Sequence, residues 1–329
     1  MRPRHWLALL FALSLALFAL GLLVGTSDLR DAAHADALVA LRSSRGLVAY
    51  LTGASLAVGG VVAQGLFRNP LASPDVLGTT AGASFAGKLS LLLFDALVVD
   101  AAALGLAPEL LLPLGCLLGA LAALLVLLGL ARRTYDTVVL LLAGFLLSSL
   151  LLSLGSLVTS LSQERWELGR AVVSFALGSV TGAGPRQVLT IAPIAIVGTI
   201  AATLWSGALD LLLSGEDEAQ SLGLDVRRAR RWCMAWTALL TAGAVAVGGN
   251  LGFVGLVVPH GLRKLIGASH RTLVPAAALG GGLFVLACDL VARSLPARTE
   301  VPLGVVTGLV GAPVFLLLVL RSERAVLHG

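Results

Sequence analysis

Few residues in this chain could do chemistry, and their spacing excludes most of what they could do. Gly82-Ala-Ser-Phe-Ala-Gly87-Lys88-Leu89 has the G-x-x-x-x-G-K spacing that cradles phosphates on backbone N–H groups. A nucleotide site needs Ser or Thr after the lysine to hold magnesium. Leu89 cannot do this, and no strand precedes the run, so the chain does not itself hydrolyse ATP. Gly-Ala-Ser recurs at 53–55, 82–84 and 267–269, but no glycine follows the serine, and an intramembrane serine nucleophile is not indicated. Cys116, Cys233 and Cys288 stand inside apolar runs without metal-ligand or disulfide spacing. They read as small buried hydrophobes. No H-E-x-x-H or other ligand cluster points to a bound metal. His260, in Val-Pro-His, stands alone and reads as structural.

Ionisable groups inside apolar segments are functional candidates, because lipid does not solvate charge. Here they are Lys88 and the pair Asp289 and Arg293. The latter two are spaced i, i+4 and can neutralise one another on a helix. An ion-coupled carrier would carry a buried acid nearer the middle of a span. The energy for any transport is therefore expected from a partner.

The elements that must position these residues follow from composition. Hydrophobic residues make up 57% of the 329 and charged residues 12%, with a mean hydropathy of +0.96. A water-soluble domain carries about 25% charged residues. The chain is therefore built for lipid, where backbone groups must pair within helices or closed barrels. Its apolar runs are long and continuous rather than alternating, which selects helices. Gly/Pro clusters and charges punctuate ten of them, at 6–25, 46–66, 75–94, 110–131, 137–161, 187–207, 230–249, 251–266, 272–293 and 301–321. The expected fold is an all-α polytopic membrane protein forming one domain over 1–329. Arg2 and Arg4 before the first run mimic a signal peptide, but the run exceeds the usual h-region of about 7–15 residues. It reads as the first membrane helix.

The net charge of +5 is spread over the ends of apolar runs, so it carries topology rather than a nucleic-acid footprint. With both termini in the cytoplasm, fourteen basic residues fall on the cytoplasmic side and eight outside, Lys88 completing the 23. Positive-inside bias selects that orientation. Two connections are long enough to fold: 162–186, read as an external interfacial helix, and the cytoplasmic 208–229. G-x-x-x-G spacings at Gly21/Gly25, Gly78/Gly82, Gly115/Gly119, Gly248/Gly252 and Gly304/Gly308 predict close helix packing.

Several motifs together resemble a known family. They are Arg42-Ser-Ser-Arg45, Gly53-Ala-Ser-Leu-Ala, and Gln64-Gly-Leu-Phe-Arg68-Asn69-Pro70-Leu-Ala-Ser-Pro74, followed by Gly252-Phe-Val-Gly-Leu-Val-Val-Pro259-His260-Gly-Leu-Arg263. His270-Arg271, Asp289-Leu-Val-Ala-Arg293 and Glu300-Val-Pro302-Leu-Gly304 complete the series. In this order, over nearly the whole chain, they resemble FecCD-type permeases, the membrane subunits of type II ABC importers for vitamin B12, ferric siderophores and haem.

The resemblance implies ten helices, with helices 2–5 and 7–10 as inverted repeats and both termini inside. It implies a second permease copy, two ATP-binding subunits that hold the ATP and Mg, a periplasmic or lipoprotein binding protein, and placement in a bacterial inner membrane. No cofactor and no nucleic-acid partner are implied for this chain. Within 208–229 it marks Glu218, Ala219, Ser221, Leu222 and Gly223 as the segment that couples to the ATPase. Arg42 and Arg45, with Ser44 in place of the usual proline, and more weakly Arg293 and Arg298, would dock the binding protein. Thr137 and Val138 would form a cytoplasmic gate, while Arg68, Asn69, Pro70, Pro259, His260, Arg263, Asp289, Pro302 and Gly304 would be structural. An iron chelate or haem is the first cargo implied and cobalamin the second. An ion-coupled carrier is the rival from another class.

Overall fold

A computed structural model describes residues 3–24, 35–70, 72–93, 110–131, 137–295 and 300–327. Among the described residues the structure is helical. The helices are α1 (Pro3–Leu23), α2 (Ala35–Leu66), α3 (Thr79–Leu92, after a 3-10 turn Pro74–Leu77), α4 (Leu111–Ala131) and α5 (Thr137–Ser162). Next come α6 (Trp166–Leu177), α7 (Pro185–Leu204), α8 (Ser206–Ser214), α9 (Glu216–Ser221) and α10 (Val226–Gly248). The last three are α11 (Val254–Ile266), α12 (His270–Ser294) and α13 (Leu303–Leu327).

Over its described residues each expected apolar run is largely helical, although the left-handed Gly78 divides 75–94 into the 3-10 turn and α3, and Trp205 divides 187–207 between α7 and α8. Six helices are long and apolar enough to cross a membrane: Arg4–Leu23, Asp36–Leu66, Leu111–Leu130, Val139–Ser162, Pro185–Leu204 and His270–Ser294. Exposed leucines such as Leu118, Leu125, Leu150 and Leu189 cover α4, α5 and α7, as expected of surfaces whose solvent is hydrocarbon. α2 is the opposite case, with 83% of its apolar window buried against 17% for α1. α2 is the central post. It packs on α12, α10, α7 and α11, while α10 packs on α4, α3 on α4, and α11 on α12.

Missing side chains make this packing possible. Gly53 of α2 meets Gly281 of α12 so closely that a Cβ on either would overlap the other's carbonyl; a Cβ on Gly60 would overlap the carbonyl of Gly255 on α11, and one on Gly255 would press on that of Leu56. Gly82 and Gly119 form a third such crossing, between α3 and α4. The G-x-x-x-G expectation therefore divides. Gly248 is packed against Thr52 and Gly304 against backbone, but Gly252 and Gly308 face open space.

One boundary is corrected. The second helix begins at Ala35, not at 46. Arg42 and Arg45 interrupt the apolar pattern, yet they lie inside the helix because other elements satisfy their charges. At 32 residues α2 is about 48 Å long, well beyond a hydrocarbon core of about 30 Å.

Candidate functional site

Two polar junctions stand at opposite ends of the α2–α12 pair. The first starts from Arg45, on α2. Its guanidinium donates from Nε and Nη2 to Asp289 Oδ1 on α12, at 3.0 and 2.9 Å, and from Nη1 to both oxygens of Glu300, at 3.0 and 2.9 Å. Asp289 is fully buried, and its other oxygen pairs with Arg293 at 3.0 Å, one turn on. Arg293 also donates to the carbonyls of Gly21 and Val24 at the end of α1. Arg42 donates to the carbonyl of Leu22 at 2.9 Å, satisfying a helix end that would otherwise lack donors. Thr181 closes the cluster by donating to Glu300 at 2.7 Å. Partial burial works against the charge on Glu300, but hydrogen bonds from Arg45 and Thr181 prevail and hold its carboxyl below the ordinary carboxylate value.

The expected Asp289–Arg293 pair is present, with Arg45 as a third member that links positions 244 residues apart. Asp289 faces two guanidiniums, Arg45 at 2.9 Å and Arg293 at 3.0 Å, so the buried acid has its charge partners in place. Of the four arginines read as docking residues, Arg42, Arg45 and Arg293 converge here and turn inward. Arg298 lies outside the described residues.

Beside this cluster three backbones meet without side chains between them. The Gly304 amide donates to the Gly178 carbonyl, and the Ser179 amide donates to the Gly248 carbonyl. A Cβ on Gly304 would overlap the Leu177 carbonyl, and one on Gly249 the Phe175 carbonyl. Gly304 is glycine for want of room. Pro302 sits just before α13, and its carbonyl accepts from the Val305 and Val306 amides. The helix expected in 162–186 is α6, and its C-terminus forms this joint.

The second junction lies at the other end of α2. The helix stops in a Schellman motif: the Asn69 amide donates to the Gln64 carbonyl, and the Arg68 amide to that of Gly65. Arg68 therefore takes the left-handed position, at φ 49°, usually given to glycine. Pro70 then prevents the helix from resuming. The buried Gln64 side chain accepts from Arg263 of α11 at 3.1 Å and reaches the Gly255 carbonyl at 3.5 Å. Pro259 lies one turn earlier on α11, and its neighbour His260 packs edge-on against Phe315 with ring centroids 5.8 Å apart. Neither His260 nitrogen has a hydrogen-bond partner among the described residues.

The 208–229 segment folds as α8, α9 and the first turn of α10. Helix α9 closes in a second Schellman motif, with the Leu224 amide donating to the Ala219 carbonyl and the Gly223 amide to that of Gln220. Gly223 sits at φ 88°, which explains the Leu-Gly pair. Ala219 is buried beneath the turn, Leu222 is 62% exposed, and the Ser221 hydroxyl caps the Glu218 carbonyl. The result is a stiff polar turn with one apolar side chain presented outward. Glu216 pairs with Arg230, and Asp225 caps α10 by accepting from the Arg228 amide at 2.9 Å. A cavity of about 1070 Å³ opens beside this turn, lined among others by Asp217, Gln220, Arg227 and Arg231.

Thr137 and Val138 begin α5, but their side chains and residues 132–136 lie outside the described residues, so the gate expectation has no geometry here. Sequence reasoning missed Asp210, Thr181 and the bridging role of Glu300. Asp210 sits in the long 208–229 connection, and only its distance from the other acids of that loop set it apart. The phosphate-loop decoy is a stretch of α3, with Lys88 donating to the Gly155 carbonyl of α5 at 3.4 Å.

Comparison with known proteins agrees with this geometry. The Vibrio cholerae vitamin B12 import system permease protein BtuC is 40% identical over 285 residues, covering 86% of this chain and 82% of that protein. The Yersinia pestis hemin transport system permease protein HmuU is 38% identical over 291 residues, covering 86% and 83%. A solved ABC transporter assigned to the metal-chelate type, in an inward-facing conformation, superposes with a TM-score of 0.84 at 30% identity, covering 97% of this chain and 99% of that one. Residues 6–321 match the FecCD transport family, and the chain is a member of that family, a multi-pass membrane permease of the ABC importer class.

Proposed function

We propose that this chain, paired with a second copy, forms the central pathway by which a metal chelate enters a bacterial cell. The chelate is delivered by a binding protein, and the work is done by two separate ATP-binding subunits that hold the ATP and Mg. The observation that carries this reading is the family match over residues 6–321, joined to the rigid turn that presents Leu222 beside Gly223. An exposed apolar side chain on a short capped helix is what a partner groove grips.

In this reading the Arg45 end faces outward and the α9 turn inward, with ten helices crossing the inner membrane and both termini inside. The two pairings, α2 on α12 and α10 on α4, exchange under the proposed inverted repeat, as do α3 with α4 and α11 with α12. Left-handed residues before α3 (Gly78, φ 72°) and α11 (Phe253, φ 68°) support the same correspondence. Docking of the binding protein falls to the outer rim, where its carboxylates must compete with Asp289 and Glu300 for Arg45. Rim charges of this kind set association rate and salt dependence more than affinity.

Haem or a ferric siderophore is the first cargo and cobalamin the second. Vesicles holding the chain with its ATPase and binding protein, offered labelled haem, ferric siderophore and cobalamin, test this directly. Uptake of one of the three is expected, and uptake of none rejects the cargo class. An ion-coupled carrier is disfavoured because Asp289 already faces two arginines.

A further inference from the structure

The N-terminus of α12 is capped from outside its own strand of sequence. Ser269, the residue in the capping position, makes no side-chain cap. Asp210 of α8 supplies it instead, its Oδ1 accepting from the His270 amide at 2.9 Å and standing 2.6 Å from His270 Nδ1. The Ser269 hydroxyl reaches the other oxygen at 3.4 Å. The imidazole is wholly buried, in space that exists because residue 65 is glycine: a Cβ there would stand 2.7 Å from Nε2 and 3.1 Å from Leu209. One carboxylate therefore joins α8 to α12, with α2 as the wall behind. An acid at a helix N-terminus is favourable in itself, and charge-assisted hydrogen bonds are stronger than neutral ones, here with the imidazole buried and the carboxylate half-exposed.

At its far end α12 carries Asp289 and Arg293, held by Arg45 of α2. Between the two ends, α2 and α12 cross with backbones in contact at Gly53 and Gly281. The pair is a strut whose two helices are tied to each other by charge at the Arg45 end, while at the other end Asp210 ties α12 to α8. We infer that Asp210 is the positioning residue through which movement of the 208–229 segment is delivered to the α2–α12 strut and so to the Arg45 cluster. The inference rests on the importer reading and adds to it the residue that makes the mechanical link. Asp210 acts through His270 and its amide, facing α12 rather than the exposed face of α9.

The experiment uses the complete complex in vesicles and reads phosphate release with and without the binding protein, no cargo being needed. For Asp210→Ala, ATPase subunits remain bound and basal release stays within about twofold of wild type. Stimulation by the binding protein falls about fivefold or more, the range of a typical coupling energy. Asp210→Asn, which keeps an oxygen for the His270 amide, restores most of it. Unchanged stimulation in Asp210→Ala overturns the inference. Should that variant fail to assemble, hydrogen exchange at the His270 amide of the unaltered complex decides: continued protection during ATP turnover supports a rigid junction, and rising exchange overturns it. A wild-type complex that holds no ATPase, or ignores the binding protein, rejects the importer reading itself and the inference with it.

Discussion

Arg45 and Asp289 lie 244 residues apart and meet at 2.9 Å, joining the two most central helices at one end of the bundle. Asp289 is fully buried and serves a second arginine as well, so the three groups form a unit whose members cannot be removed independently. Taking one partner from a buried ion pair costs about 3–5 kcal/mol, because the charge left behind has neither water nor counter-ion.

Asp289→Ala is therefore expected to destabilise more than Arg45→Ala, since it takes the shared carboxylate from two guanidiniums, leaving Arg45 with Glu300 and Arg293 with the α1 carbonyls, where the arginine change leaves Asp289 still paired with Arg293. The double variant Arg45→Ala/Asp289→Ala should cost less than the sum of the single changes. Thermal unfolding of detergent-purified protein, arranged as a double-mutant cycle, checks this. Strict additivity would mean that the pair is not coupled.

The same cluster predicts a pH dependence. Glu300 is held below the ordinary carboxylate value, so in the unfolded chain it binds its proton at higher pH than in the folded one. Its contribution to stability is then fully present above the unfolded value and is lost as pH falls through the folded value. The melting-temperature gap between wild type and Glu300→Gln should be open at pH 7 and close toward pH 3. Glu300 is 38% exposed, and added salt should narrow the gap at neutral pH as well. A gap independent of pH would assign the effect to packing.

How much of this was legible in the residues depends on the range of the interaction. The long apolar runs give the helices directly, because lipid leaves the backbone no other solution. Gly223 is likewise local: a turn at positive φ wants glycine. The start of α2 was misread because Arg42 and Arg45 look like the end of an apolar run. The carbonyls of α1, Asp289 of α12 and Glu300, which satisfy them, come from distant parts of the chain. Asp210 was invisible for the same reason, since one acid in a loop holding four others has no periodicity to mark it. The inward turn of the arginines was hidden because a motif records residue types and not the direction a side chain takes.

Glycines inside the apolar helices should respond oppositely to the same substitution, according to what each one faces. Gly60→Ala and Gly281→Ala put a methyl into backbone, where neither side can yield as a flexible side chain would, and overpacking costs about 1–3 kcal/mol or more. Gly308→Ala, on a helix face with nothing within 4 Å, should be neutral or gain up to about 1 kcal/mol from helix propensity. Melting temperature and monodispersity after purification separate the two classes. A destabilised Gly308→Ala would mean that this face is packed against something, a second copy being the first candidate.

Arg68 and Gly223 occupy equivalent positions in two Schellman motifs, one holding the favoured residue and the other not. Arg68→Gly removes the cost of a Cβ in the left-handed region and should leave stability unchanged or raise it by up to about 1 kcal/mol, because the exposed guanidinium of Arg68 gives up little packing. Gly223→Ala imposes that cost and should loosen the turn that holds Leu222 outward. Limited proteolysis of the 215–225 region reads the second effect directly, with cleavage expected to quicken several-fold while the melting temperature of the helical core stays within a degree or two. If Gly223→Ala is cut no faster than wild type, the stiffness of the α9 turn comes from the buried Ala219 and the half-buried Leu224 rather than from the backbone conformation at position 223. Leu222→Ala would then be the change that separates the shape of this turn from its grip on a partner.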